Sequence, residues 1–156
     1  MSLDDIRSGE HVAVDTNILV YANRRKSEEC VRFLKRCAVR DLHGIVPTAM
    51  VAELMHTLML MEARENGWIG DSSPARSLAE RPEQVRRLVA YERQMREFLG
   101  IGLRVEPVEA ADFLEAMRMQ RETGLLTNDA LLLAVARRLG CTAVATADRA
   151  FAAAAG

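Results

Sequence analysis

The chain has 156 residues, close to the commonest single-domain size, and 49% of them are hydrophobic, enough for a full core. With 22 acidic against 21 basic residues the net charge is −1, so no global basic field draws in nucleic acid and any such partner needs a local site. Three cysteines without a CxxC pair and three scattered histidines argue against a disulfide framework and a zinc site. Cys30 and Cys37 would lie roughly 10 Å apart along one helix, too far to bridge, and read as small core residues of a cytosolic protein. The N-terminal MSLDDIRSGE is polar and acidic, unlike a signal peptide. The longest apolar run, AMVAELMHTLMLM, is broken by Glu53 and His56 and is too short to span a bilayer.

In chain order, HVAVD (11–15) reads as a buried strand, followed by a helix start and then a helix over 27–39 with Cys30, Leu34, Cys37 and Ala38 as its apolar stripe. GIVP (44–47) reads as a second strand, and 48–66 as a strong helix with Thr48 at its N-cap. The Gly-, Pro- and Ser-rich stretch 67–82 reads as a loop, and 82–100 as one helix ended by Gly100. A third strand at 103–108 and a helix at 109–124 follow. Next come a helix over 125–140, with Thr127 as N-cap and Gly140 as stop, and a fourth strand at 141–148. This alternation implies a single α/β domain over 1–156, a three-layer α/β/α sandwich around a parallel sheet of four to five strands.

In such a sheet ligands bind beyond the C-terminal strand ends, at the switch point of the strand order. Asp15 ends the first strand and Asp148 the fourth. Asp129 falls in the first turn of the last long helix, and Glu53 in the second turn of the helix after strand two. Each has an ordinary alternative. Asp15 suits an N-cap, Asp129 a first-turn acid favoured by the helix dipole, and Asp148 a cap for DRAFAAA. Glu53 interrupts a core-facing stripe (Ala49, Met50, Thr57, Leu60), where a lone buried carboxylate is costly. Together, four acids at one edge repel one another and call for a cation. No Lys or Arg falls at a matching strand end, so Mg²⁺ or Mn²⁺ is the simplest partner. Such an ion orients a phosphodiester and lowers the pKa of a bound water. Asn17 and Thr146 are nearby polar groups suited to positioning a carboxylate or water.

The segments VAVDTNILVYA (12–22), TAMVAELMHTL (48–58), GLLTNDALLLAVARRLG (124–140) and AVATADRAF (143–151) resemble a PIN-domain ribonuclease, most of all the VapC-type toxins of bacterial toxin–antitoxin pairs. The resemblance implies a metal-dependent endoribonuclease that uses Mg²⁺ or Mn²⁺ on Asp15, Glu53, Asp129 and Asp148, with Asn17 and Thr146 supporting them. It also implies an RNA substrate, a homodimer, and an antitoxin that wraps the toxin and places a basic side chain in the acidic site. Met55, Met59 and Met61 would offer that partner a face, or serve as core and dimer packing. Arg24, Arg25 and Lys26 are candidate RNA contacts. The Arg86, Arg87, Arg93 and Arg96 row is mixed with glutamates and reads as a solvated face. The chain departs from the family pattern in ending FAAAAG where a fifth strand is usual, and in its long 67–82 stretch. Two other readings compete: a non-catalytic PIN-fold binding module, and a phosphatase with Asp15 as nucleophile, which would want a second acid where Asn17 stands.

Overall fold

The computed structural model describes residues 2–147. Four parallel strands, β1 (His11–Val14), β2 (His43–Pro47), β3 (Arg104–Glu106) and β4 (Ala143–Ala145), form one sheet in the order β3-β2-β1-β4. Eight helices connect them: α1 (Thr16–Asn23), α2 (Glu28–Ala38), α3 (Thr48–Glu65), α4 (Pro74–Ala79), α5 (Pro82–Val85), α6 (Ala90–Leu99), α7 (Ala110–Thr123) and α8 (Thr127–Arg138). The chain runs outward from β1 through β2 to β3, then returns to place β4 on the other flank of β1. Since parallel crossovers are right-handed, this reversal puts helices on both faces of the sheet. The result is the expected α/β/α sandwich.

Burial explains the strand pattern. Val12, Ala13 and Val14 are all 0% exposed, as a central strand covered on both faces requires. Strand β3 departs from the expected apolar character. It is an edge strand in which Arg104 and Glu106 pair at 2.5 Å and Val105 is exposed. Helix α8 is buried from Ala130 to Ala136 and packs on β1, α3 and α7. The buried thiols of Cys30 and Cys37 are pushed up by desolvation, Cys37 to about 11, so both stay neutral in the core. On α2 the buried stripe is Cys30, Phe33, Leu34 and Cys37, with Ala38 left at its exposed margin.

Several local expectations are corrected. Pro47 and Leu126, both in extended backbone, hold the N-cap positions expected for Thr48 and Thr127, which instead begin their helices. The Thr48 hydroxyl accepts from the Val108 N–H at 3.2 Å. The stretch 67–82 is not all loop: it contains α4, whose Leu78 joins Ala63, Ile69 and Leu88 in a small second cluster. Met55, Met59 and Met61 do not share one face. Met55 is exposed, Met59 packs on the second cluster and Met61 on the main core.

The expected helix over 82–100 breaks into α5 and α6 at residues 86–89, and Glu62 shows why. On α3 it follows Met50, Leu54 and Leu58 at four-residue spacing and is 7% exposed. Its carboxylate accepts the N–H groups of Val89 at 2.8 Å and Tyr91 at 2.9 Å, capping α6, which has no side-chain cap of its own. Burial alone would push this carboxyl up. The N–H donors of Val89, Tyr91 and Ala90, with Arg93 nearby, outweigh it and hold Glu62 below the ordinary range. Glu62→Ala is expected to cost ~1–2 kcal/mol, the scale of a lost N-cap, read as a lower urea midpoint at pH 7. A depressed carboxyl stabilises the fold above its ordinary pKa of 4.5 and loses that contribution as pH falls below it. The gap between wild type and variant should therefore close in acid.

Candidate active site

Asp15 sits where the sheet topology reverses. Val14 is level with Ala145 across the β1–β4 pair, so the next residues, Asp15 and Thr146, leave the sheet side by side. The Asp15 N–H donates to the Ala145 carbonyl at 3.0 Å, and the Thr146 hydroxyl donates to Asp15 Oδ2 at 2.9 Å. Asp15 is also the N-cap of α1, its Oδ1 accepting from the Asn17 N–H at 3.5 Å. The ordinary cap role and the strand-end placement therefore coexist in one residue, 5% exposed. Asn17 contributes that backbone N–H, and its residue is exposed.

The second element is the start of α3. The Thr16 hydroxyl donates to the Met50 carbonyl at 3.3 Å, tying the Asp15 junction to the first turn of α3, one turn before Glu53. Glu53 is half-buried, beside rather than within the Met50–Leu54–Leu58 stripe. Its Oε2 accepts from the Asn128 side-chain amide at 3.0 Å. Asn128 precedes Asp129 in the first turn of α8, where Asp129 is half-buried and favourably placed in the helix dipole.

Three of the four expected acids thus stand on elements that begin or end at one sheet edge. The fourth, Asp148, lies outside the described residues, as does the segment where a fifth strand was at issue. Among the described residues no group of three or more His, Cys, Asp and Glu side chains is close enough to hold a metal ion. The donor chemistry nonetheless fits Mg²⁺ or Mn²⁺: these are hard carboxylate oxygens, and Mg²⁺ takes only one or two protein carboxylates directly and keeps several waters.

The three candidate RNA cations divide. Arg24 is ion-paired to Glu65 at the end of α3. Arg25 is exposed and takes a left-handed backbone (φ 51°). Lys26 lines a 710 Å³ cavity with Tyr21, Ser27 and Thr146, so it borders the same wall as the Asp15 contact. In the arginine row, Arg96 pairs with Glu92 one turn away and Arg87 lies 4.9 Å over the Trp68 ring. Asn128 was not singled out from the sequence. Its only signal there is an amide beside Asp129 in TNDALL, because the pairing of 53 with 128 is a tertiary fact.

A family model described as PIN domain matches residues 12–156. The chain belongs to the PIN-domain family. Solved structures similar to this PIN domain include VapBC2 from Rickettsia felis bound to a DNA fragment from its promoter, with 18% identity, 90% of each chain covered and a TM-score of 0.57. Another is PAE2754 from Pyrobaculum aerophilum, with 21% identity, 93% of this chain and 78% of that one covered, and a TM-score of 0.57. At these identities the likeness shows the shared fold alone. A comparison with curated proteins finds no match. Among the described residues of this PIN domain no helix is long and apolar enough to cross a membrane.

Proposed function

We propose that this PIN domain is a divalent-metal-dependent endoribonuclease of the VapC type, the toxin of a toxin–antitoxin pair. The observation that carries the reading is a family match over 12–156 in a chain whose Asp15 stands at the C-terminal end of its central strand, held there by Thr146. PIN domains are generally nucleases, and their acidic edge is where a dication belongs. Asp15, Glu53 and Asp129, with Asp148, are the residues that would hold Mg²⁺ or Mn²⁺. The bound ion would supply charge neutralisation at the phosphodiester and a more acidic water. The chain's own contribution is positional. Thr146 and the Asn17 N–H orient Asp15, Asn128 orients Glu53, and the α8 N-terminus favours the charge on Asp129.

Two surfaces support the proposed partners. A 270 Å³ apolar cavity between α1, α2, α3 and α6, lined by Leu19, Val31, Leu34, Leu54, Leu58 and Phe98, suits an apolar helix face of an antitoxin. The Rickettsia felis structure is of VapBC2 bound to a DNA fragment from its promoter. Phe113, Leu114 and Met117 stand exposed on α7, an apolar face suited to a second copy in a homodimer. Lys26 is the cation we assign to the RNA backbone, and free cysteines suit the reducing cytosol.

Structured RNA incubated with the purified chain and Mg²⁺ or Mn²⁺ should be cut endonucleolytically. Excess EDTA should stop the reaction and added Mn²⁺ should restore it. Cleavage that continues undiminished in EDTA would rule out the metal-dependent mechanism, and RNA retention without products would favour a binding module.

A further inference from the structure

We propose that Asn128 is a positioning residue that holds the Glu53 carboxylate ready for a dication, an assignment that rests on the metal-nuclease reading above. The Asn128 Nδ2 to Glu53 Oε2 hydrogen bond, at 3.0 Å, spans 75 residues of sequence. It ties the second turn of α3 to the first turn of α8, one residue before Asp129. One helical turn therefore carries an acid of its own and aims another.

The identity of the donor matters. Glutamate has several rotatable torsions, and a half-buried carboxylate left unheld would sample many of them. A hydrogen bond to Oε2 restricts that freedom and leaves Oε1 to a ligand. An amide does this without charge. An arginine or lysine in its place would neutralise Glu53 and compete with a dication. The same molecule shows that alternative on the neighbouring helix: Asp112, 2% exposed, is clamped by the Arg138 guanidinium at 2.8 and 2.9 Å, and no charge there is left for a ligand. Among the described residues Glu53 has an amide partner and no ion pair. That division, guanidinium for the structural acid and amide for the acid at the open edge, is what a metal site needs from its supporting residues.

Mn²⁺ titration calorimetry, without RNA, tests this on the full chain. Asn128→Ala should weaken Mn²⁺ binding by about tenfold, the lower end for loss of a ligand-orienting partner, while the urea midpoint in EDTA stays at the wild-type value. Glu53→Ala should weaken binding further, and adding Asn128→Ala to it should change nothing more. If Asn128→Ala folds poorly, Asn128→Ser, whose hydroxyl is too short to reach, gives the same reading. Wild-type Mn²⁺ affinity in the Asn128 variants, or an additive loss on top of Glu53→Ala, overturns the positioning role and leaves the metal reading standing. Equal Mn²⁺ affinity of wild type and Glu53→Ala removes Glu53 from the ion's ligands and overturns the positioning role, whereas no Mn²⁺ binding by the wild type overturns the metal reading itself.

Discussion

Asp15→Asn should abolish RNA cleavage while leaving the fold intact. A dication contributes several kcal/mol of transition-state charge stabilisation, and at ~1.36 kcal/mol per tenfold the loss should be on the order of 10³-fold in kcat/KM. The retained fold follows from the contacts. An asparagine carbonyl can accept the Asn17 N–H as Oδ1 now does, and its amide can donate to a Thr146 hydroxyl turned to accept. What disappears is the negative charge. Side-by-side cleavage kinetics and thermal unfolding of the two proteins check both halves. Full activity in Asp15→Asn would remove the acid from the mechanism. Lost activity with a lowered Tm would return Asp15 to the status of a helix cap.

The largest stability effect is expected at Arg138→Ala. Asp112 is 2% exposed and receives both guanidinium nitrogens. The same Arg138 donates to the Pro107 carbonyl at 2.9 Å. Asp112 also accepts the Glu109 N–H at 2.8 Å, closing the capping box of α7. The arginine thus joins the end of α8 to the start of α7. Removing one partner of a buried pair typically costs 3–5 kcal/mol, and with the Arg138 side chain 26% exposed to screening solvent we expect ~2–3 kcal/mol. The Arg138 hydrogen bond, the largest influence, holds the Asp112 carboxyl below its ordinary 3.8 against the pull of burial, helped by the Glu109 N–H. A depressed carboxyl stabilises the fold above its unfolded pKa and loses that contribution as pH falls through the folded one. Urea unfolding should therefore separate wild type from Arg138→Ala widely at pH 7 and much less below pH 3.8. A constant gap across that range would mean that lost packing of the arginine stem, not the charge pair, sets the cost.

The fold was largely legible in the chain. Val12–Val14 and the β2 run are short apolar stretches between long helical patterns, and parallel sheets buried on both faces impose that alternation. At one place a long-range contact overrode a local signal. The helical pattern over 82–100 is real, but the Glu62 carboxylate takes the N–H groups at 89 and 91 and starts a new helix there. The threonines at 48 and 127 are good caps by type, yet Pro47 and Leu126 hold the extended cap backbone. Glu62 itself stood in plain view at the fourth step of the Met50–Leu54–Leu58 spacing, as a charge on a buried stripe.

For the site the division is sharper. The chain alone determined which residue types stand at strand ends and early helical turns, because those positions follow from hydrophobic periodicity and the fixed direction of a parallel sheet: Asp15 after Val14, Asp129 after Asn128, Glu53 in the second turn of α3. Only the tertiary structure decided what holds them. The level pairing of Val14 with Ala145 sets Thr146 against Asp15, and the approach of α3 to α8 sets Asn128 against Glu53. Periodicity reports which face a residue occupies. A partner 75 or 131 residues away along the chain is chosen by strand order and helix packing, which no local pattern encodes.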